Sequence, residues 1–197
     1  GVPVPTIYAS LNARVMSSIK EQREEVEKIL PYDVACQFDF GDISNSMKPL
    51  FDAVVLATIA SYAQGMDILK EASTAYNYNL NMPSIAQIWK GGCIIRSKLL
   101  KRIQDAYQKD PDLKNLIFDN WFNNQISKKI NNLSFVVSAA NKSSIPVPCL
   151  SSTLDYFNSY RTSRLPQNLV QAMRDCFGSH TYQRTDKEGS FHTEWLQ

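Results

Sequence analysis

Apolar positions recur at three- and four-residue steps through most of this chain, the spacing of one helix face. Residues 1–5 form a proline-bearing lead, and Thr6 reads as an N-cap. Ile7, Leu11, Val15, Ile19, Val26 and Leu30 predict a long amphipathic helix over 7–30, which Pro31 ends. Residues 31–45 read as a loop with a short extended piece at 34–40. A more apolar helix follows over 46–76, apolar around much of its circumference and therefore central; Gly65 within it allows a close neighbour. Ser84 caps a helix over 85–90. Gly91-Gly92 interrupts it, and the pattern resumes over 93–109. A short helix to 118, a longer one over 119–140, and two last helices over 150–165 and 166–177 complete the pattern, with Pro166 placed in a first turn. The tail, 178–197, follows neither the helical nor the strand period. No strand–crossover pattern appears, so the expected fold is an all-α helical bundle with an irregular C-terminal tail. The runner-up is an α+β domain with a small sheet from 31–45 and the tail.

Composition narrows the function classes. The 197 residues are 44% hydrophobic and 20% charged, which fits one folded domain. A net charge of +2 carries no case for nucleic-acid or membrane binding. The charged run over 20–28 and the cluster Lys98, Lys101 and Arg102 read as solvated helix faces. Cys36, Cys93, Cys149 and Cys176 form no Cys-x-x-Cys pair, so no metal site is expected and free thiols in a cytoplasmic protein are. No stretch reads as a secretory signal or a membrane span. The chain opens on Gly1 in the run Gly-Val-Pro-Val-Pro, which reads as the lead-in from an earlier element, so a fragment of a longer protein is expected.

Candidate chemistry is concentrated near the end. Both histidines, His180 and His192, lie in the last segment. Arg174 ends an amphipathic helix, and Gly178 could turn the chain so that His180 returns beside the arginine. Two such donors suit an anion, above all a phosphate. There is no Gly-x-Ser-x-Gly elbow and no Gly-x-Gly-x-x-Gly turn. Residue types alone therefore describe a helical interaction or scaffold module, with at most one anion site.

Longer stretches add a resemblance. Ile88-Trp-Lys-Gly-Gly-Cys-Ile-Ile-Arg-Ser97, Ile145-Pro-Val-Pro-Cys-Leu-Ser-Ser152, Asp155-Tyr-Phe-Asn-Ser-Tyr-Arg161, Leu165-Pro-Gln-Asn-Leu-Val-Gln-Ala172 and Arg174-Asp-Cys-Phe-Gly-Ser-His180-Thr-Tyr182 resemble the 6-phosphogluconate dehydrogenase family. The ending Arg184-Thr-Asp-Lys-Glu-Gly-Ser-Phe-His-Thr-Glu-Trp195 is similar to that of its shorter, bacterial-type members, and the opening Gly1-Val-Pro-Val and Ala13-Arg14 also match. The resemblance implies the later part of the family's helical domain, 1–177, followed by a tail, 178–197, that packs on a partner subunit. It implies NADP-dependent oxidation and decarboxylation of 6-phosphogluconate, with NADP bound by an N-terminal domain upstream of Gly1. The general base, the general acid and a Lys-Gly-Thr segment that helps hold the substrate also belong upstream, so no catalytic residue is expected in this chain, and alone it should be inactive. It implies that Arg14 grips the 6-phosphate within its own subunit. Arg174 and His180 would reach the other subunit's phosphate across a homodimer. Cys176 stands where many members carry an aromatic, which implies a packing change beside Arg174. Trp89, Trp121 and Trp195 are expected to pack rather than to hold ligand.

Overall fold

The computed structural model describes residues 1–31 and 43–195, with side chains from 47 onward in the second stretch. The extended piece expected at 34–40, with Cys36, lies outside the described residues. The described residues divide into two compact units, Gly1–Phe157 and Asn158–Gln197.

The first unit is helical and is built around α3 (Ile43–Tyr76). Ala53, Leu56, Ile59, Ala60, Ala63 and Met66 recur at three- and four-residue steps and are fully buried. They face α6 (Asn120–Lys142), whose Phe122, Ile126, Ile130, Leu133 and Val137 follow the same period and are likewise buried. Asp119 starts α6 by accepting the Trp121 and Phe122 amides at 2.9 and 3.2 Å. The short α4 (Met82–Ile88) packs with α5 (Leu99–Lys109), which buries Leu100, Ile103 and Tyr107. A 3-10 turn at Leu116–Phe118 precedes α6, and α7 (Pro148–Tyr160) adds Tyr156 and Phe157 to the core. No described helix is long and apolar enough to cross a membrane.

Several boundaries differ from those the pattern predicts. The helix expected over 7–30 is two: α1 (Pro5–Ser18) and α2 (Lys20–Ile29), broken at Ile19. Arg23 makes the break tenable, because its guanidinium donates to the Met16 carbonyl at 3.1 Å and the Ser17 carbonyl at 3.4 Å, which the helix leaves unpaired. Thr6 is not the N-cap. Val4 is, and Thr6 lies buried inside α1, where the Gln64 carbonyl oxygen accepts the Thr6 and Ile7 amides at 3.1 and 3.3 Å. Asn81, not Ser84, caps α4, accepting the Ser84 amide at 2.9 Å. The pattern over 93–109 becomes helical only at Leu99, since Gly92 adopts a positive φ of 70° and Ile94 is left fully exposed. Gly65 meets no neighbour within 4 Å, so it serves no close approach.

The second unit holds α8 (Asn168–Gly178) and the tail. Pro166 precedes α8 rather than opening it. The tail forms a two-residue antiparallel pair, β1 (Tyr182–Gln183) with β2 (Ser190–Phe191), in the register Tyr182↔Phe191 and Gln183↔Ser190. Gly189, at φ 115°, permits the return of the chain. The Arg184 fork binds Asp186 through two bonds of 2.9 and 2.6 Å, which braces the turn.

Candidate functional site

The end of α8 assembles the site. Gln171, Arg174, Asp175 and Gly178 stand at steps i, i+3, i+4 and i+7, and so share one helix face. Arg174 is exposed, and one of its terminal nitrogens donates to the Gln171 side-chain oxygen at 3.3 Å. The helix stops because Ser179 adopts the left-handed conformation (φ 49°, ψ 38°) while its amide still bonds to the Asp175 carbonyl at 2.9 Å. Thr181 follows, also at positive φ (60°). The sequence reading gives this turn to Gly178; in the structure Ser179 and Thr181 make it. Gly178 has another role. A Cβ there would stand 2.9 Å from both Cδ2 and Nε2 of His180, so its bare Cα is where the imidazole lies. Arg174 is four residues before Gly178, on the same face of α8. The His180 ring thus lies over Gly178, one helical turn beyond Arg174 along α8. His180 is exposed and hydrogen-bonds to no described residue.

Beneath the pair lies a carboxylate that the sequence reading passes over. Asp175 is fully buried. One of its oxygens accepts the Thr181 amide at 3.0 Å and His192 Nδ1 at 2.9 Å; the other accepts the Thr193 amide at 3.0 Å and Trp195 Nε1 at 2.9 Å. Burial alone would raise its pKa. The bonds from His192, Thr193 and Trp195 outweigh that and hold it at about 2. His192, the second tail histidine, is thereby an anchor of the tail, and Trp195 a donor rather than a packing ring alone. One sign was available beforehand: an acidic residue in the last helical turn opposes the helix dipole and needs a compensating partner.

Arg14 lies in the first unit, near the middle of α1, exposed, with no described residue hydrogen-bonded or ion-paired to it. Cys176 is exposed, so the expected packing change is not in the core of its own unit. Two hollows lie elsewhere. One, of about 720 Å³, is lined by Ile7, Val54, Tyr62, Trp89 and Ile95; the other, of about 380 Å³, by Arg164, Gln171, Tyr182, Arg184 and Trp195. Neither includes Arg14, Arg174 or His180, which stand exposed. No group of three or more potential metal ligands occurs among the described residues.

The end of α8 thus carries an exposed arginine, an exposed histidine and a buried carboxylate that ties down the tail. Residues 1–195 match the family model described as 6-phosphogluconate dehydrogenase, C-terminal domain. The chain belongs to the 6-phosphogluconate dehydrogenase family. It is 48% identical over 196 residues to the decarboxylating 6-phosphogluconate dehydrogenase of Synechococcus elongatus, matching all of this chain and 41% of that protein. It is 43% identical over 201 residues to the NADP(+)-dependent, decarboxylating enzyme of Bacillus subtilis, again over all of this chain and 42% of the relative. The solved structure of Plasmodium falciparum 6-phosphogluconate dehydrogenase, studied apo, with NADP+ and with 6-phosphogluconate, superposes with a TM-score of 0.90 at 44% identity, covering 99% of this chain and 42% of the other. The chain therefore spans about two-fifths of the 6-phosphogluconate dehydrogenases it matches.

Proposed function

We propose that this chain is the substrate-phosphate and dimerisation portion of an NADP-dependent enzyme that oxidises 6-phosphogluconate at C3 and decarboxylates it to ribulose 5-phosphate in the pentose phosphate pathway. The observation that carries the reading is the Arg174–His180 corner, in a chain that matches the family from residue 1 to 195. A sugar phosphate near −2 calls for several cationic donors, and guanidinium forks fit its oxygens. In this reading Arg14 holds the 6-phosphate of its own subunit. Arg174 and His180 approach the phosphate of the other subunit in a cytoplasmic homodimer, with the tail, 178–197, packed on that partner.

The described residues do not suit NADP. They contain no strand–glycine turn–helix unit, and the tail pair is the one sheet among them. NADP binding and the acid–base steps therefore fall to sequence the relatives carry outside the matched span. In this reading the described residues bind and position, and hydride transfer and decarboxylation are not assigned to them.

Two measurements test this. The 197-residue chain, given 6-phosphogluconate and NADP, should form no NADPH; turnover would overturn the assignment of chemistry elsewhere. In a full-length enzyme carrying these residues, Arg174→Ala should raise KM for 6-phosphogluconate while kcat changes little. A lost charge-assisted contact costs about 1.5–3 kcal/mol, roughly 10- to 150-fold. An unchanged KM would refute the role of Arg174.

A further inference from the structure

The phosphate corner contains a polar brace that the cationic pair does not account for. Thr181, next to His180, is held through both of its backbone polar groups. Its amide donates to Asp175 at 3.0 Å, and its carbonyl accepts from the Gln171 side-chain nitrogen at 2.6 Å. Gln171 and Asp175 are one turn apart on α8, so two side chains of one face clamp the backbone as it folds back. The Gln171 oxygen, meanwhile, accepts from Arg174 at 3.3 Å. A single amide thus touches Arg174 on one side and the turn that presents His180 on the other. Asp175 extends the clamp to the far end of the tail through His192, Thr193 and Trp195.

Electrostatics makes the choice of Asp175 informative. A carboxylate beside an anion site repels the anion, and Asp175 adjoins Arg174 in the chain. Its burial and its four donors direct the charge inward, onto the tail. What it adds to such a site is geometry.

We infer that Gln171 and Asp175 are positioning residues that hold Arg174 and His180 at a common spacing for one phosphate group. This rests on the phosphate reading of that pair. Gln171 fixes the guanidinium relative to the turn; Asp175 fixes the turn relative to α8. Neither touches the ligand.

The sequence holds 2 histidines, so the imidazole NMR signals of the intact 197-residue chain resolve into His180 and His192 with one variant. Inorganic phosphate and, separately, 6-phosphogluconate are titrated while the His180 signal is followed. A saturable shift is expected, weakened at least about tenfold by Arg174→Ala. Asp175→Asn removes a negative charge, so simple electrostatics predicts tighter phosphate binding, whereas positioning predicts binding weakened several-fold. Gln171→Met keeps helix propensity and fold, which circular dichroism and the Trp195 indole N–H signal in NMR verify. It should weaken binding about three- to tenfold, and in the Arg174→Ala background it should add almost nothing, because the two act as one unit. An Arg174-dependent shift that Gln171→Met leaves intact and Asp175→Asn leaves equal or tighter overturns the positioning role while sparing the phosphate reading. A wild-type chain with no Arg174-dependent shift overturns the phosphate reading, and the positioning role with it.

Discussion

Gly178 shows how one missing side chain can serve a site without strain. It is helical, and the turn belongs to its neighbours. Gly178→Ala should leave the folding free energy within about 1 kcal/mol of wild type, since alanine is the better helix former. It should still displace the exposed imidazole of His180, whose atoms stand 2.9 Å from the new methyl position, and so weaken phosphate binding. Denaturant unfolding and phosphate titration, run together, check both halves. Asp67 on α3 is a different case, a buried carboxylate outside the site. Asn115 donates to one of its oxygens at 2.5 Å and to the Tyr156 hydroxyl at 2.9 Å, while the other Asp67 oxygen and the Tyr107 hydroxyl lack a hydrogen bond among the described residues. Burial raises its pKa to about 6, against the lowering effects of Asn115 and Lys70 and with a further rise from Glu71. The native state therefore keeps its proton after the unfolded state has released one. The associated stability is full below about pH 4 and is lost as pH rises through about 6, on the order of 3 kcal/mol in all. Asp67→Asn should flatten that part of the curve, read as urea midpoints from pH 4 to 7. An unchanged slope would count against it.

Among the elements, those with many apolar positions were legible in the sequence. The helices around 46–76 and 119–140 emerge within three residues of their expected bounds because a long run of periodic apolar side chains defines each. Misreadings fall where a single distant side chain decides. Ile19 keeps the helical step, yet the helix breaks there because Arg23 serves the freed carbonyls. Thr6 looks like a cap, but the first turn of α1 is capped from α3: Gln64 takes two amides on its oxygen and donates to the Thr6 hydroxyl at 3.0 Å, and that hydroxyl also contacts the Thr153 hydroxyl at 3.3 Å. The site divides the same way. Arg174 and His180 were visible as residue types, whereas Asp175 was not, because its partners lie 6 to 20 residues away in a tail without periodicity. The Gln64 contact carries its own prediction. Gln64→Leu keeps the volume but strands the buried Thr6 amide and leaves the Thr6 hydroxyl only Thr153, at a cost of about 1–3 kcal/mol. Hydrogen exchange at the start of α1 should rise in step with the drop in the denaturation midpoint.

At the scale of the molecule, the open apolar surface is what bears on assembly. α1 leaves Leu11 59% and Val15 54% exposed, and they lie four residues apart on one face; Phe51 on α3 is 66% exposed. Soluble monomers seldom leave such a stripe uncovered, and a net charge of +2 offers little repulsion against association. The isolated chain should therefore self-associate at tens of micromolar in sedimentation velocity. Leu11→Glu with Val15→Lys should shift it toward monomer, with helical circular dichroism retained, because neither side chain belongs to the buried core. The outcome bears on the phosphate reading as well. A site divided between Arg14 of one subunit and Arg174 with His180 of the other requires two chains, and association should tighten the response of His180 to 6-phosphogluconate. A chain that stays monomeric, with a phosphate response independent of its concentration, would instead favour a helical module with no shared site.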